Sequence, residues 1–208
     1  MVPDGARPRV EGDRESEILD ATLELLLDAG YDRLTMDAVA ARARASKATL
    51  YRRWSTKASL VVDALIRSKH SPDTRDPDTG SLRGDLLAQA CGPGGFSEKN
   101  ATRVLAAVIT ALHTDDEFAT EFRGRFLAPK VELSTRIYAR AKQRGEIRDD
   151  VDLGVLAPAM AGILLHRVFL LGLPLDDDTI RTVVDQIIVP AATGRPYSPA
   201  LSSREGTS

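Results

Sequence analysis

Apolar positions recur at helical spacing along almost the whole chain. Ile18, Thr22, Leu23, Leu26 and Ala29 share one side of a helix over 14–29. Glu15 and Glu17 sit in its first turn and Gly30 lies just past its end, as helix ends favour. Thr35 is placed to cap a short helix over 35–43, whose inner side is Met36, Val39, Ala40 and Ala43. Ser46 caps a third over 47–53. Ser55 caps a fourth over 56–68, with Leu60, Val61, Ala64 and Leu65 facing inward. Next comes "SPDTRDPDTG", residues 71–80, which holds no large apolar residue and reads as a linker. Further helices are expected near 82–90, 97–113, 116–144, 152–172 and 177–192, with "CGPGGF" at 91–96 separating the first two. Pro129 is expected to kink or break the long one, and Gly145 to end it. Nothing alternates as a strand. The fold class is all-α.

The pattern gives an N-terminal helical domain over 12–70 and a second over 81–193. Residues 1–11 and 194–208 are rich in Gly, Pro and Ser or in charge, and are expected to be disordered. The segment "LGVLAPAMAGILLHRVFLLGLPL", 153–175, is long enough to span a bilayer. His166 and Arg167 fall near its middle, however, and an Arg there costs at least ~2.5 kcal/mol. Aspartates bracket it on both sides. A buried or interface helix is the better reading, with no membrane partner. "MVPDGARPRVEGDRESE" has no apolar run and does not read as a secretory signal.

Charge changes the picture in one place. The chain carries a net charge of −2, yet residues 33–57 hold seven cations and one acid, Asp37. Such a patch is the footprint of a polyanion partner; chance clustering on a solvated surface is the alternative. Geometry shifts the balance toward the polyanion. On a helix over 47–54, Leu50 and Trp54 coincide on one face. Ala48, Thr49, Arg52 and Arg53 cover the opposite face, with Lys47 and Tyr51 at its border. Trp54 is therefore an anchor and Tyr51 an exposed reader. Lys47 and Lys57 stand at helix N-termini, where a positive charge opposes the macrodipole by roughly 0.3–1 kcal/mol. That placement makes sense if phosphates occupy those positions in the working state. Two short helices joined by a tight turn form a helix-turn-helix, whose second helix enters the major groove.

These residues carry a resemblance. "LTMDAVAARARASKATLYRRWSTKASLV" resembles the tetracycline-repressor (TetR) family of transcriptional regulators, through Thr35, Val39, Ala40, Ala43, Ser46, Thr49, Leu50, Tyr51, Trp54, Lys57 and Leu60. The upstream "LLLDAGYDRLT" matches too, so the likeness covers about 14–65. Arg44 stands where the family often has glycine, and Ala45 where it often has valine. A left-handed backbone at Arg44 would carry a small cost, and its side chain is free to touch phosphate. The resemblance implies an N-terminal three-helix DNA-binding domain and a C-terminal helical domain that binds a small-molecule effector and dimerises. The implied partners are double-stranded DNA with a palindromic operator, an unidentified effector and a second copy of the chain. The DNA-binding residues are then Thr35, Arg44, Lys47, Ala48, Thr49, Tyr51, Arg52, Arg53 and Lys57.

The remaining candidates for chemistry are weak. Phe122, Phe126, Tyr138, Met160 and Phe169 are possible walls of an effector pocket, but core packing explains them equally well; His166 is a candidate polar group of that pocket, though a core or interface histidine is the commoner reading. His113 beside Asp115, Asp116 and Glu117 suggests a metal, yet Asp115 or Asp116 as a helix cap explains the cluster better. The lone Cys91 excludes an intramolecular disulfide and makes a thiol sensor improbable. Arg7 and Arg9 could reach a minor groove, though a disordered tail is the simpler reading. No nucleophile motif, no phosphate-binding glycine loop and no metal or other cofactor is expected. The expectation is a cytoplasmic, homodimeric, ligand-responsive repressor. An activator of the same fold is the near alternative; a helical enzyme and a protein-interaction module are more distant ones.

Overall fold

The computed structural model describes residues 11–68, 76–93, 95–96 and 101–194. Arg7, Arg9, most of both expected tails and residues 71–75 of the expected linker lie outside them. Among the described residues every regular element is helical. The chain runs α1 (Glu11–Ala29), α2 (Met36–Arg42), α3 (Lys47–Arg53), α4 (Lys57–Ser68), α5 (Leu82–Cys91), α6 (Ala101–Val108), α7 (Ala111–Thr114) and α8 (Asp116–Glu121). It continues through a widened turn, Phe122–Leu127, into α9 (Ala128–Gln143). Then come α10 (Leu153–Leu165), widened at His166–Leu170, α11 (Asp177–Val183), widened at Val184–Ile188, and α12 (Val189–Thr193). Gly30 and Gly145 end α1 and α9 at φ of 79° and 75°, a backbone that costs glycine nothing.

The caps follow the sequence with one correction. The Ala38 N–H donates to Thr35 Oγ1 at 3.1 Å, and the Thr49 N–H to Ser46 Oγ at 3.1 Å. At α4 the cap is Thr56, not Ser55: the Ser59 N–H donates to Thr56 Oγ1 at 3.2 Å. Asp115 caps α8, accepting from the Phe118 N–H at 2.9 Å.

Packing groups the chain into two compact units, and their limits differ from the expected domains. The first joins Met1–Thr74 to Glu98–Val131; the second joins Arg75–Ser97 to Glu132–Ser208. The core of the first unit is not made by α1–α4 alone. Val104, Val108, Ala111, Phe118 and Phe122 complete it against α1 and α4. The Tyr31 N–H also donates to the Ala107 carbonyl at 3.2 Å. In the second unit Leu86, Ile137, Tyr138, Leu164, Ile180 and Ile188 form the centre.

The expected helix at 97–113 is α6 and α7, interrupted after Val108; residues 97–100 are outside the described set. The helix is not broken at Pro129. Its disturbance moves one turn earlier, where the Ala128 N–H reaches the Arg123 carbonyl, five residues back. The same device precedes Pro190, where the Val189 N–H reaches the Val184 carbonyl. A proline ring clashes with the carbonyl four residues before it, and a widened turn displaces that carbonyl.

Residues 76–80, expected to be linker, are pinned in the second unit. Arg136 Nε and Arg140 Nη2 donate to Asp76 at 2.9 and 2.8 Å. Asp85, fully buried, accepts from the Thr79 N–H at 2.6 Å and from Thr79 Oγ1 at 2.8 Å, and Arg144 Nη2 reaches it at 3.3 Å. Asp85→Ala should therefore lower unfolding free energy by about 2–3 kcal/mol, because it leaves these donors without their charged acceptor. Asp78→Ala, at a side chain 68% exposed, should change it by less than about 0.5 kcal/mol. Denaturant titration of both variants checks the contrast, and equal losses would contradict it.

Candidate nucleic-acid interface

The turn between α2 and α3 is tight. The Ala45 N–H returns to the Ala40 carbonyl at 2.8 Å, and Arg44 adopts φ of 50°. It is the one non-glycine among the described residues in that region. An L-residue there bears about 1–2 kcal/mol of strain. Arg14, from α1, donates to the Arg44 carbonyl and ties the turn to the first helix.

α3 has seven residues and two fixed ends. Leu50 and Trp54 are buried, at 0% and 3% exposure. The Trp54 N–H donates to the Leu50 carbonyl at 2.8 Å and its indole Nε1–H to Asp63 Oδ2 at 2.7 Å. With that side held down, Lys47, Ala48, Tyr51, Arg52 and Arg53 face solvent. Thr49 is half-buried, its Oγ1 paired with Ser46 Oγ at 2.8 Å. Thr35 and Arg44 are exposed on the same helix-turn-helix.

The cations are not equivalent. Lys47 pairs with Asp37 at 2.8 Å and Arg53 with Glu15 at 3.2 Å, all with exposed side chains, so both pairs exchange readily with solvent. Among the described residues the guanidinium groups of Arg44 and Arg52 make no hydrogen bond or ion pair, and the Tyr51 hydroxyl makes no hydrogen bond. These three side chains are free to meet a ligand.

Lys57 differs. It is half-buried, donates to the Tyr31 carbonyl at 3.2 Å, and its Nζ lies 4.0 Å over the Tyr31 ring. The Tyr31 hydroxyl in turn donates to Asp115 Oδ2 at 2.9 Å. Burial, then the Asp115 carboxylate, push the Tyr31 phenol far above its ordinary value. The Phe118 N–H, then the Tyr31 hydroxyl, hold Asp115 below the usual carboxylate range. Lys57 is thus a clamp between α4 and the end of α1, where the sequence suggested only a phosphate contact.

The six candidate pocket residues divide between the units. Phe122 and Phe126 belong to the first, in a ladder of rings from Tyr31 through Phe118, with centroids 4.3, 5.8 and 4.9 Å apart. Tyr138 and Met160 are core residues of the second, where Phe169 is half-buried and His166 is exposed. His166 is therefore not a core histidine. Among the described residues the Tyr138 hydroxyl, which is buried, has no hydrogen-bond partner, and burial pushes its pKa up to about 12. Burial likewise pushes the Cys91 thiol up to about 11, the opposite of a reactive thiolate. Asp63 carries no signal in the sequence as the partner of Trp54; only the fold brings it there.

Comparison with known proteins agrees with this geometry. Residues 18–64 match the family described as bacterial regulatory proteins, tetR family, and residues 76–187 match the tetracyclin repressor-like C-terminal domain. The chain is 33% identical over 178 residues to the uncharacterised HTH-type transcriptional regulator YdeS of Bacillus subtilis, covering 86% of this chain and 89% of that one. It is 35% identical over 176 residues to the DNA-binding transcriptional repressor TetR of Mycobacteroides abscessus, covering 85% and 92%. The crystal structure of the TetR family transcription regulator SCO0332 superposes with a TM-score of 0.61 at 33% identity, covering 85% of this chain and 97% of that one.

Arg44→Gly tests the turn. Relief of the left-handed backbone should stabilise the protein by up to about 1 kcal/mol, the larger unfolded-state freedom of glycine offsetting part of the gain. The same change removes a free cation, so affinity for duplex DNA should fall and its salt dependence flatten by about one unit per site. Thermal unfolding with a DNA-binding salt series measures both. A variant that is less stable, or that binds unchanged, contradicts the assignment.

Proposed function

Since the chain belongs to the TetR family of bacterial regulatory proteins, we propose that it is a homodimeric repressor that binds a palindromic operator and leaves it when a small-molecule effector binds. It is a DNA-binding transcriptional regulator and not an enzyme. The observation that carries the DNA site is the face of α3. Free Tyr51 and Arg52 stand beside exchangeable Lys47 and Arg53 on a helix anchored by Leu50 and Trp54, with free Arg44 in the turn that precedes it. Thr35, Ala48, Thr49 and Lys57 complete the proposed contact set, Lys57 in addition to its internal clamp. The repressor reading leans on the M. abscessus relative, which is named a repressor. With DNA as its target, the proposed place of action is the cytoplasm.

A C2 dimer presents two such helices to two half-sites. The proposed dimer face is one stripe of α10. Leu156, Met160 and Leu164 recur every fourth residue and point into the core, whereas Val155, Pro158, Gly162 and Leu170 are exposed. Val155 and Leu170 are 69% and 75% exposed, and Ile187 adds an exposed apolar side chain at 45%. Only 17% of Leu153–Leu170 is buried within one chain. The effector site belongs to the second unit in this reading. The unmatched Tyr138 hydroxyl, in an otherwise apolar core, is the polar group best placed to meet a ligand there.

Selection of duplexes from a random pool by the full chain should return a palindrome; winners without two-fold symmetry would sink the operator reading. Against the selected duplex, Arg52→Ala should relax preference at one position in each half-site by about 1–3 kcal/mol, as expected for an Arg paired with guanine. Lys47→Ala should instead weaken all duplexes alike and lower the salt slope by about one unit.

Val155→Asp and Leu170→Glu should each yield folded monomer by light scattering, with helical circular dichroism retained. Leu164→Asp, at a position 0% exposed, should unfold the protein instead. Dimers that survive both surface changes would move the interface elsewhere.

A further inference from the structure

Trp54 is the only tryptophan of the chain and the residue that closes α3. A buried indole N–H needs an acceptor, and here it has a charged one. Asp63 Oδ2 takes the indole proton at 2.7 Å, and Asp63 Oδ1 accepts from Arg125 Nη2. Arg125 Nη1 donates to Glu121 Oε2 at 3.0 Å. Four side chains therefore form one line, from the end of α3 through α4 to the widened turn Phe122–Leu127, all inside the first unit. The planar guanidinium fork holds two carboxylates in fixed directions, which an ammonium cannot do.

We infer that Arg125 is a positioning residue for DNA recognition: by holding Asp63 it orients the Trp54 indole, and through it the C-terminal end of α3, where Tyr51, Arg52 and Arg53 sit. Arg125 lies well outside residues 18–64, the segment that matches the helix-turn-helix family. Its side chain is 44% exposed, so the line adds little to global stability. Its effect falls on direction: Trp54 stays buried without it, but the Asp63 carboxylate that tethers the ring loses the fork that orients it. The inference rests on the DNA reading of α3.

The test uses the full chain, the duplex selected by the wild type and a scrambled duplex. Arg125→Met keeps the apolar stem and removes the fork. It should lower affinity for the selected duplex about tenfold, leave the scrambled duplex and the salt slope nearly unchanged, and alter the emission of Trp54. In a Trp54→Phe background, which has no indole N–H, Arg125→Met should cost less than about twofold, the non-additivity expected of residues in one network. Arg125→Lys retains the charge without the fork and should fall between wild type and Arg125→Met; it replaces Arg125→Met in the cycle if the latter does not fold. Wild-type affinity and unchanged emission in Arg125→Met, or the same loss in both backgrounds, overturns the inference while leaving the DNA reading intact. A wild-type chain that selects no duplex overturns both.

Discussion

Seven residues of helix do not hold themselves together in water, because nucleation costs more than so short a ladder returns. The helix proposed to read DNA, α3, has that length. Its shape is imposed from below by Leu50 and Trp54, which bury almost completely in the core of the first unit. A buried aromatic contributes roughly 3–5 kcal/mol of what its removal would cost, several times what caps supply. The rest of the unit follows from that requirement. A core deep enough to seat an indole needs more apolar area than α1, α2 and α4 provide, so α6–α8 pack onto them. The Asp63 carboxylate that receives the indole proton is available because α4 passes beneath α3.

Once the apolar side is fixed, the polar side has no choice of direction, and charge accumulates there at a local cost. Lys47 opposes the dipole of its own helix, and Arg44 occupies a left-handed backbone. Neither feature serves the isolated protein. A phosphate against the N-terminus of α3, as the proposed DNA contact supplies, would offset the cost of the Lys47 charge. Asp37 and Glu15 hold two of the cations through exposed pairs. Pairs of that kind are weak enough for a polyanion to displace, yet they limit repulsion while no DNA is present. Lys57 shows the opposite solution. Its charge is spent on the Tyr31 ring and carbonyl, which fixes the start of α4 beneath the reading helix.

Local features of this site were legible in the sequence, because they are encoded within a turn or two of chain. Thr35 and Ser46 cap as their spacing predicts, Trp54 is buried opposite Arg52, and Arg44 sits at positive φ. Asp115 caps α8 as the cluster at 113–117 suggested. What the pattern does not carry is the set of contacts between distant residues. Nothing in residues 54–63 announces that Trp54 will meet Asp63, and nothing in Lys57 announces Tyr31. The grouping of α6–α8 with the first unit was equally invisible. The composition break at 71–80 does coincide with a unit limit, between Thr74 and Arg75, but it gives no sign that Glu98–Val131 rejoin the first unit. The break expected at Pro129 became a widened turn upstream, because a helix held by tertiary packing adjusts its hydrogen bonds where it can. A pocket is not legible from such a pattern at all, because aromatic and apolar side chains at helical spacing describe any core.

The apolar stretch at 153–170 shows why composition alone is ambiguous. By length and hydropathy it satisfies the test for a membrane span. A span surrounded by lipid needs apolar residues all round, and so does a helix squeezed between its own core and a second copy of the chain. The arrangement of side chains separates the two. Here one row, Leu156, Met160 and Leu164, is consumed by the core. The opposite row carries Gly162 and Pro158 between Val155 and Leu170, and ends beside His166 and Arg167. Small residues between larger apolar ones let another helix approach closely, and the polar end fits a rim open to water. Lipid would reward neither the flatness nor the Arg. In the proposed dimer this apolarity would serve two protein surfaces at once, the core of the second unit and the second copy of the chain.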